Sequence, residues 1–200
     1  MSAANVTPEE VLSFWFGPPG GEPFANAAKW YRKDDAFDLE IKERFEAALE
    51  AGAKGELASW KADPRGRLAL VVLLDQMSRN MFRGSPRAFA QDRFAVDVAL
   101  ASLDDGDEAS FSIQERQFLY MPLMHAENVD LQRRCSACFE RLRNDGPAEL
   151  REKLDSNVKY ARMHADIVER FGRFPHRNAV LGRPSTPEEE AFLKQPGSSF

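Results

Sequence analysis

The chain has 200 residues, of which 43% are hydrophobic and 30% charged, the balance of a soluble globular protein able to bury one sizeable core. Its formal net charge of −5 excludes a general nucleic-acid binder, because affinity for phosphate needs a basic face. Met1 to Phe16 has no basic region or long apolar run, and no stretch approaches the roughly 20 apolar residues that cross a bilayer. No signal peptide, membrane partner or nucleic-acid partner is therefore expected, and the cytoplasm is the expected compartment.

In chain order, Thr7-Pro8-Glu9-Glu10 predicts a helix start with an N-cap, a proline in the first turn and a capping-box glutamate. Val11, Leu12, Phe14, Trp15 and Phe16 follow, and Gly17 ends the helix. Pro18 to Pro23 reads as a flexible loop. From about Asp34, the four-residue spacing of Phe37, Ile41, Phe45 and Leu49 predicts a helix that lasts to Gly52. A short segment with Leu57 and Trp60 closes at Asp63-Pro64.

Arg67 to Phe82 reads as the most buried element. Leu68 to Leu74 is continuously apolar, and the absence of a turn signal before Phe82 favours a helix over a strand. Further helices are predicted from about Ala88 to Leu103, from the capping box Ser112-Ile113-Gln114-Glu115, and from Asn128 to about Arg143. Pro122 should kink or stop the second of these. After the turn Asn144-Asp145-Gly146-Pro147, a long helix runs from Pro147 to Phe171. Thr186-Pro187-Glu188-Glu189 then repeats the opening device for a last short helix.

No alternating β-branched run and no Asn-Gly hairpin is present, so the expected class is all-α. About eight or nine helices with short turns imply antiparallel pairs in one domain, with a core of about residues 7–194 and a flexible tail at 195–200. No strict repeat of roughly 34 residues stands out.

Cys135 and Cys138, the two cysteines, form Cys-Ser-Ala-Cys within a helical stretch. They share a face with Leu131, Phe139 and Leu142, so they read as reduced core residues and not as a redox or zinc pair.

Polar groups gather in three places. After the apolar run, Asp75 and Arg79 are helical neighbours, as are Gln76, Asn80 and Arg83. An ion pair and a turn cap account for Asp75 with Arg79 more readily than for Gln76, Asn80 and Arg83. The second place is His125 with Glu127, just past Pro122. The third is the octapeptide Phe171-Gly172-Arg173-Phe174-Pro175-His176-Arg177-Asn178, where Gly172 and Pro175 fix a turn that carries two guanidinium groups, an imidazole and an amide. His164 falls on a stripe with Asn157, Ala161, Val168 and Phe171 and is expected to face inward.

A metal site would have to draw on the three histidines with Asp75 and Glu127. With no His-x-x-x-His or Glu-x-x-His pair, histidines held by hydrogen bonds are the preferred reading, and no cofactor is expected. No nucleophile elbow or glycine-rich phosphate loop is present. General acid–base work by a histidine, with Arg173 or Arg177 holding a carboxylate or phosphate, needs no special spacing.

These segments carry a resemblance. Phe14-Trp15-Phe16-Gly17, Leu73-Leu74-Asp75-Gln76 with Ser78 to Gly84, Phe118 to Leu123 with His125 and Glu127, and Arg170 to Asn178 occur in the order found in the bacterial family called domain of unknown function 924. The similarity spans about Val11 to Leu193 and departs at Met77-Ser78, where the family more often has Phe-Pro. It implies an all-helical fold similar to tetratricopeptide repeats, with degenerate repeats, and no particular reaction.

Two functional expectations follow. In one, Asp75, Gln76, Arg79, Asn80, Arg83, His125, Glu127, His164, Arg173, His176, Arg177 and Asn178 line a pocket for a small anionic molecule, with or without catalysis. In the other, these groups lock helix pairs while a groove binds a peptide or partner protein.

Overall fold

A computed structural model describes residues 6–199, among which there is no β-strand. The last residue of the expected flexible tail, Phe200, lies outside the described residues. The chain forms two compact units. The first comprises Met1–Arg83 and Arg87–Pro122, the second Gly84–Pro86 and Leu123–Phe200.

In the first unit, α1 (Pro8–Phe16) starts as the sequence requires. The Thr7 hydroxyl accepts from the Glu10 N–H while the Glu10 carboxylate accepts from the Thr7 N–H, and Gly17 follows with φ of 101°. A short helix absent from the sequence reading, α2 (Ala27–Trp30), comes next. In place of a side-chain cap, aromatic packing holds it: the Trp30 ring stands edge-on to Phe16 and Phe118. The third helix, α3 (Asp35–Ala53), is capped by Asp34, whose carboxylate accepts from the Ala36 and Phe37 N–H groups. A 3-10 turn at Ala58–Ala62 carries Trp60.

The central element is α4 (Pro64–Val71), which continues through a π-helical turn (Val72–Met77) into α5 (Ser78–Met81). It begins three residues before the expected Arg67, because Asp63 caps it and Pro64 suits the first helical position. Leu68, Val71, Val72, Leu73, Leu74 and Met77 are all fully buried. Burial of each such leucine stabilises the fold by about 1.5–3 kcal/mol. Helices α1 and α3, with α6 (Asp92–Asp104), pack around this element. The sixth helix starts later than the expected Ala88, because Pro86–Phe89 forms a separate 3-10 turn.

The capping box at Ser112 opens α7 (Ile113–His125), in which Pro122 lies inside the helix. Of the two alternatives at Pro122, a kink or a stop, the stop is thus excluded. Pro122 forfeits one backbone hydrogen bond, but the continuation buries Leu123 and Met124.

In the second unit, α8 (Val129–Asp145) is capped by the Asn128 side-chain amide oxygen, which accepts from the Leu131 N–H. It is followed by α9 (Arg151–Phe171). Ion pairs Arg143–Asp155, Glu140–Arg162 and Arg133–Glu169 connect them in opposite register, so the pair is antiparallel. Cys135 and Cys138 are buried on the inner face of α8 and are not joined in a disulfide, and burial pushes the Cys135 thiol well up, with Cys138 adding to it. Gly172 ends α9 in the left-handed region, as the sequence predicts. A 3-10 turn at Pro175–Arg177 and the capping-box helix α10 (Pro187–Leu193) complete the unit.

Candidate functional site

The polar set that follows the apolar run lies in the first unit. Asp75 and Gln76 sit in the π turn, where Asp75 is fully buried and bonded by Arg79 at 2.9 Å and by the Gln76 amide. Such a turn inserts one extra residue and disturbs the helical hydrogen-bond ladder. Polar side chains repair it: the Ser78 hydroxyl donates to the Leu74 carbonyl at 2.6 Å, and Arg79 donates to the Asp75 carbonyl at 2.7 Å.

The remaining members of this set reach acids on other helices. Arg79 pairs with Asp92 of α6 at 2.9 Å. Asn80 donates to Asp38 of α3 at 2.7 Å, and Arg83 forks onto the same carboxylate at 2.7 and 3.0 Å. Within this unit the cluster therefore fastens α3 and α6 to the central helix. Asp38 and Asp92 were not singled out from the sequence. Their only signal was an acid in the first turn of each helix, which also suits the helix dipole.

The other candidates lie in the second unit. Arg173 grips Glu189 with two hydrogen bonds, at 2.6 and 2.7 Å, and Asn178 donates to Glu189 and to Ser185. The Arg173 hydrogen bonds hold the Glu189 carboxyl down at about 2, against the opposing effect of its burial. Sequence reasoning saw Glu189 only as a capping residue, a role it also keeps. Glu127 accepts from Arg183 at 2.6 and 2.8 Å and from the Phe174 N–H at 2.8 Å. Burial pushes the Glu127 carboxyl up, yet Arg183, the Phe174 N–H and the charge of Arg177 together hold it below its usual value.

Two histidines, His164 and His176, meet the Phe174 ring, and the third, His125, stands beside His164. The His164 ring stands edge-on to it at 5.6 Å, His176 lies at 5.5 Å, and the Arg177 guanidinium covers its face at 4.5 Å. His125 adds its ring 6.2 Å from His164. His164 and Arg177 are each only 6% exposed, whereas His125 and His176 are half-buried. The Nδ1 atom of His164 lies 2.8 Å from the Tyr160 carbonyl. A carbonyl can only accept, so this nitrogen carries the proton and Nε2 holds the lone pair. Burial first, and His125 second, push His164 down to about 3. Burial and Arg177 push His176 down to about 4. Both imidazoles are neutral at pH 7 beside a buried guanidinium, an arrangement that can accept protons and oppose negative charge with Arg177.

Among the described residues, no group of three His, Cys, Asp or Glu side chains is arranged to hold a metal ion. Two surface hollows lie elsewhere, and neither includes a predicted site residue. One, of about 640 Å³, lies between α8 and α9; the other, of about 510 Å³, lies along the outer face of α3. Among the described residues, no helix is long and apolar enough to cross a membrane.

Comparison with known proteins agrees with this fold. A solved structure of a protein of unknown function, ATU0120 from Agrobacterium tumefaciens, shares 37% identity with the chain at a TM-score of 0.81. The match covers 94% of this chain and 96% of that one. No curated protein matches the sequence. The model of the family described as "Bacterial protein of unknown function (DUF924)" matches residues 11–197. Four separated motifs, an all-helical fold and a match over nearly the whole chain lead to one conclusion: the protein belongs to the DUF924 family.

Proposed function

We propose that the protein binds a small anionic ligand at the second unit's imidazole–guanidinium cluster, formed by His125, His164, His176 and Arg177. The observation that carries this reading is the gathering of two imidazoles, His164 and His176, and the buried Arg177 guanidinium on Phe174, with His125 beside His164. A dry cationic group surrounded by groups that can become donors suits a carboxylate or phosphate. Glu127, Arg173, Arg183 and Asn178 serve as the frame, because their hydrogen bonds hold the turn from Phe174 to Arg183 in place. Asp75, Gln76, Arg79, Asn80 and Arg83 act as helix fasteners of the first unit. The reading assigns no cofactor, no catalytic step and no oligomeric state.

A thermal-shift screen of anionic metabolites on the wild type and His176→Ala tests it. Binding at a hundredfold excess over Kd stabilises the folded state by about 2.7 kcal/mol, which is readily seen. A compound that raises the melting temperature of the wild type alone supports the site. Equal shifts for both proteins would place the ligand elsewhere.

One observation favours a second reading, a peptide-binding module without catalysis. The hollow between α8 and α9 is lined by Glu140, Arg143, Asp155, Lys159, Arg162 and Asp166, a charge-balanced wall suited to a zwitterionic peptide. Peptide capture that survives His176→Ala and fails in Lys159→Glu would favour this module.

A further inference from the structure

The arrangement of the histidine cluster carries a consequence for how an anion enters it. His125 and His176 are half-buried and reach solvent, while His164 and Arg177 lie deeper against Phe174. The charged and titratable groups that act on His176 are Arg177, Glu127, His125 and Arg183. His164 faces His125, Arg177, His176 and the Tyr160 carbonyl.

A neutral imidazole offers an anion one N–H and one lone pair. For His164 the N–H is already used on Tyr160, so its remaining nitrogen would meet an oxyanion lone pair to lone pair. A proton on the cluster converts such an acceptor into a donor and supplies positive charge where water is excluded. Conversely, without an anion a proton is opposed by Arg177 and by the neighbouring imidazoles.

We propose that proton and anion enter together: the cluster takes a small, fully ionised oxyanion with one proton, on His125 or His176, so that its occupancy is set by pH. His164 is the less favourable seat for that proton, because it is the more buried. This inference rests on the anion site proposed above and adds its regulation. Affinity then rises about tenfold per pH unit of acidification, as long as the imidazoles of the free cluster remain neutral.

Sulfate is the probe, since it does not itself titrate near neutrality. The full chain is titrated calorimetrically with sodium sulfate at about pH 7.5 and about pH 5.5, in two buffers of different ionisation heat. The expected result is a binding heat that differs between buffers by close to one proton taken up, with markedly tighter binding at the lower pH. Imidazole nitrogen chemical shifts of the wild type should show a histidine titrating at higher pH when sulfate is present. The double variant His125→Gln with His176→Gln, which keeps polar groups in place, should lose the proton uptake. Equal affinity at both pH values with no buffer-dependent heat overturns the coupling and leaves the anion site standing. Full uptake in the double variant overturns the assignment of the proton. No sulfate binding at either pH overturns the anion site and the coupling together.

Discussion

Glu127 and Arg183, far apart in sequence, form a two-pronged ion pair at 2.6 and 2.8 Å, and the same carboxylate accepts the Phe174 N–H. This one acid therefore holds both ends of the turn that carries Phe174, His176 and Arg177. Arg183 also donates to the Phe174 carbonyl and to Asn178, which closes the frame.

Glu127→Gln keeps the shape of that side chain and removes its charge. The amide cannot accept from both Arg183 nitrogens and from Phe174 as the carboxylate does. Hydrogen exchange at the Phe174 amide should accelerate in this variant, with little change at amides in the middle of α8. Unchanged protection at Phe174 would show that Glu127 does not hold the turn.

Acidification should weaken the protein in two steps. His164 and His176 are held at about 3 and about 4 in the folded protein, below the unfolded value of about 6.5. As pH falls below about 6.5, the unfolded chain binds protons that the folded one does not, so stability declines toward the folded values. Glu127 and Glu189 are also depressed. Their contribution is present above about 4.5 and disappears as pH falls toward the folded value, about 2 for Glu189. The interval from about pH 6.5 to 4.5 thus reports the histidines. Urea midpoints across this interval should fall for the wild type and fall less steeply in His164→Leu, where His176 still contributes; a flat wild-type profile contradicts this account.

Asp38 gathers Asn80 and Arg83 onto α3. Asp38→Ala leaves the Asn80 amide, only 7% exposed, short of its acceptor. The expected loss is about 1–3 kcal/mol by urea denaturation, toward the low end because Arg83 is 42% exposed and can recover water. A loss below about 0.5 kcal/mol would remove this contact from the forces that fasten α3.

Gly66 permits the close approach of α4 to the preceding 3-10 turn. A Cβ there would lie 2.0 Å from the Trp60 carbonyl oxygen and 2.8 Å from its carbon, both backbone atoms that cannot rotate away. Gly66→Ala should therefore cost about 3 kcal/mol or more, seen as a lowered melting temperature. Gly52→Ala, whose nearest neighbour is a leucine methyl at 3.5 Å, should be far better tolerated.

Local rules made much of the fold legible. The boxes at Thr7, Ser112 and Thr186 and the caps at Asp34 and Asn128 form where the residues required, because each is complete within about four positions of the chain. The inward face of His164 and the burial of Cys135 and Cys138 followed from helical periodicity alone. At Pro122 the sequence leaves a kink and a stop open, and burial of Leu123 and Met124 carries the helix past it. The π turn was not legible at all: it is sustained by carbonyl contacts from Ser78 and Arg79, which no periodicity reports.

For the octapeptide and its neighbours, the sequence by itself determined which chemistry is present and that a fixed turn carries it. Only the tertiary structure decided which arginine meets which acid. Arg173 goes to Glu189, Arg183 to Glu127, and Arg177 lies over Phe174 among three imidazoles. The physical reason is range. Caps and amphipathic faces are set by neighbours along one helix, whereas an ion pair is chosen by where packing of apolar faces brings two distant segments together.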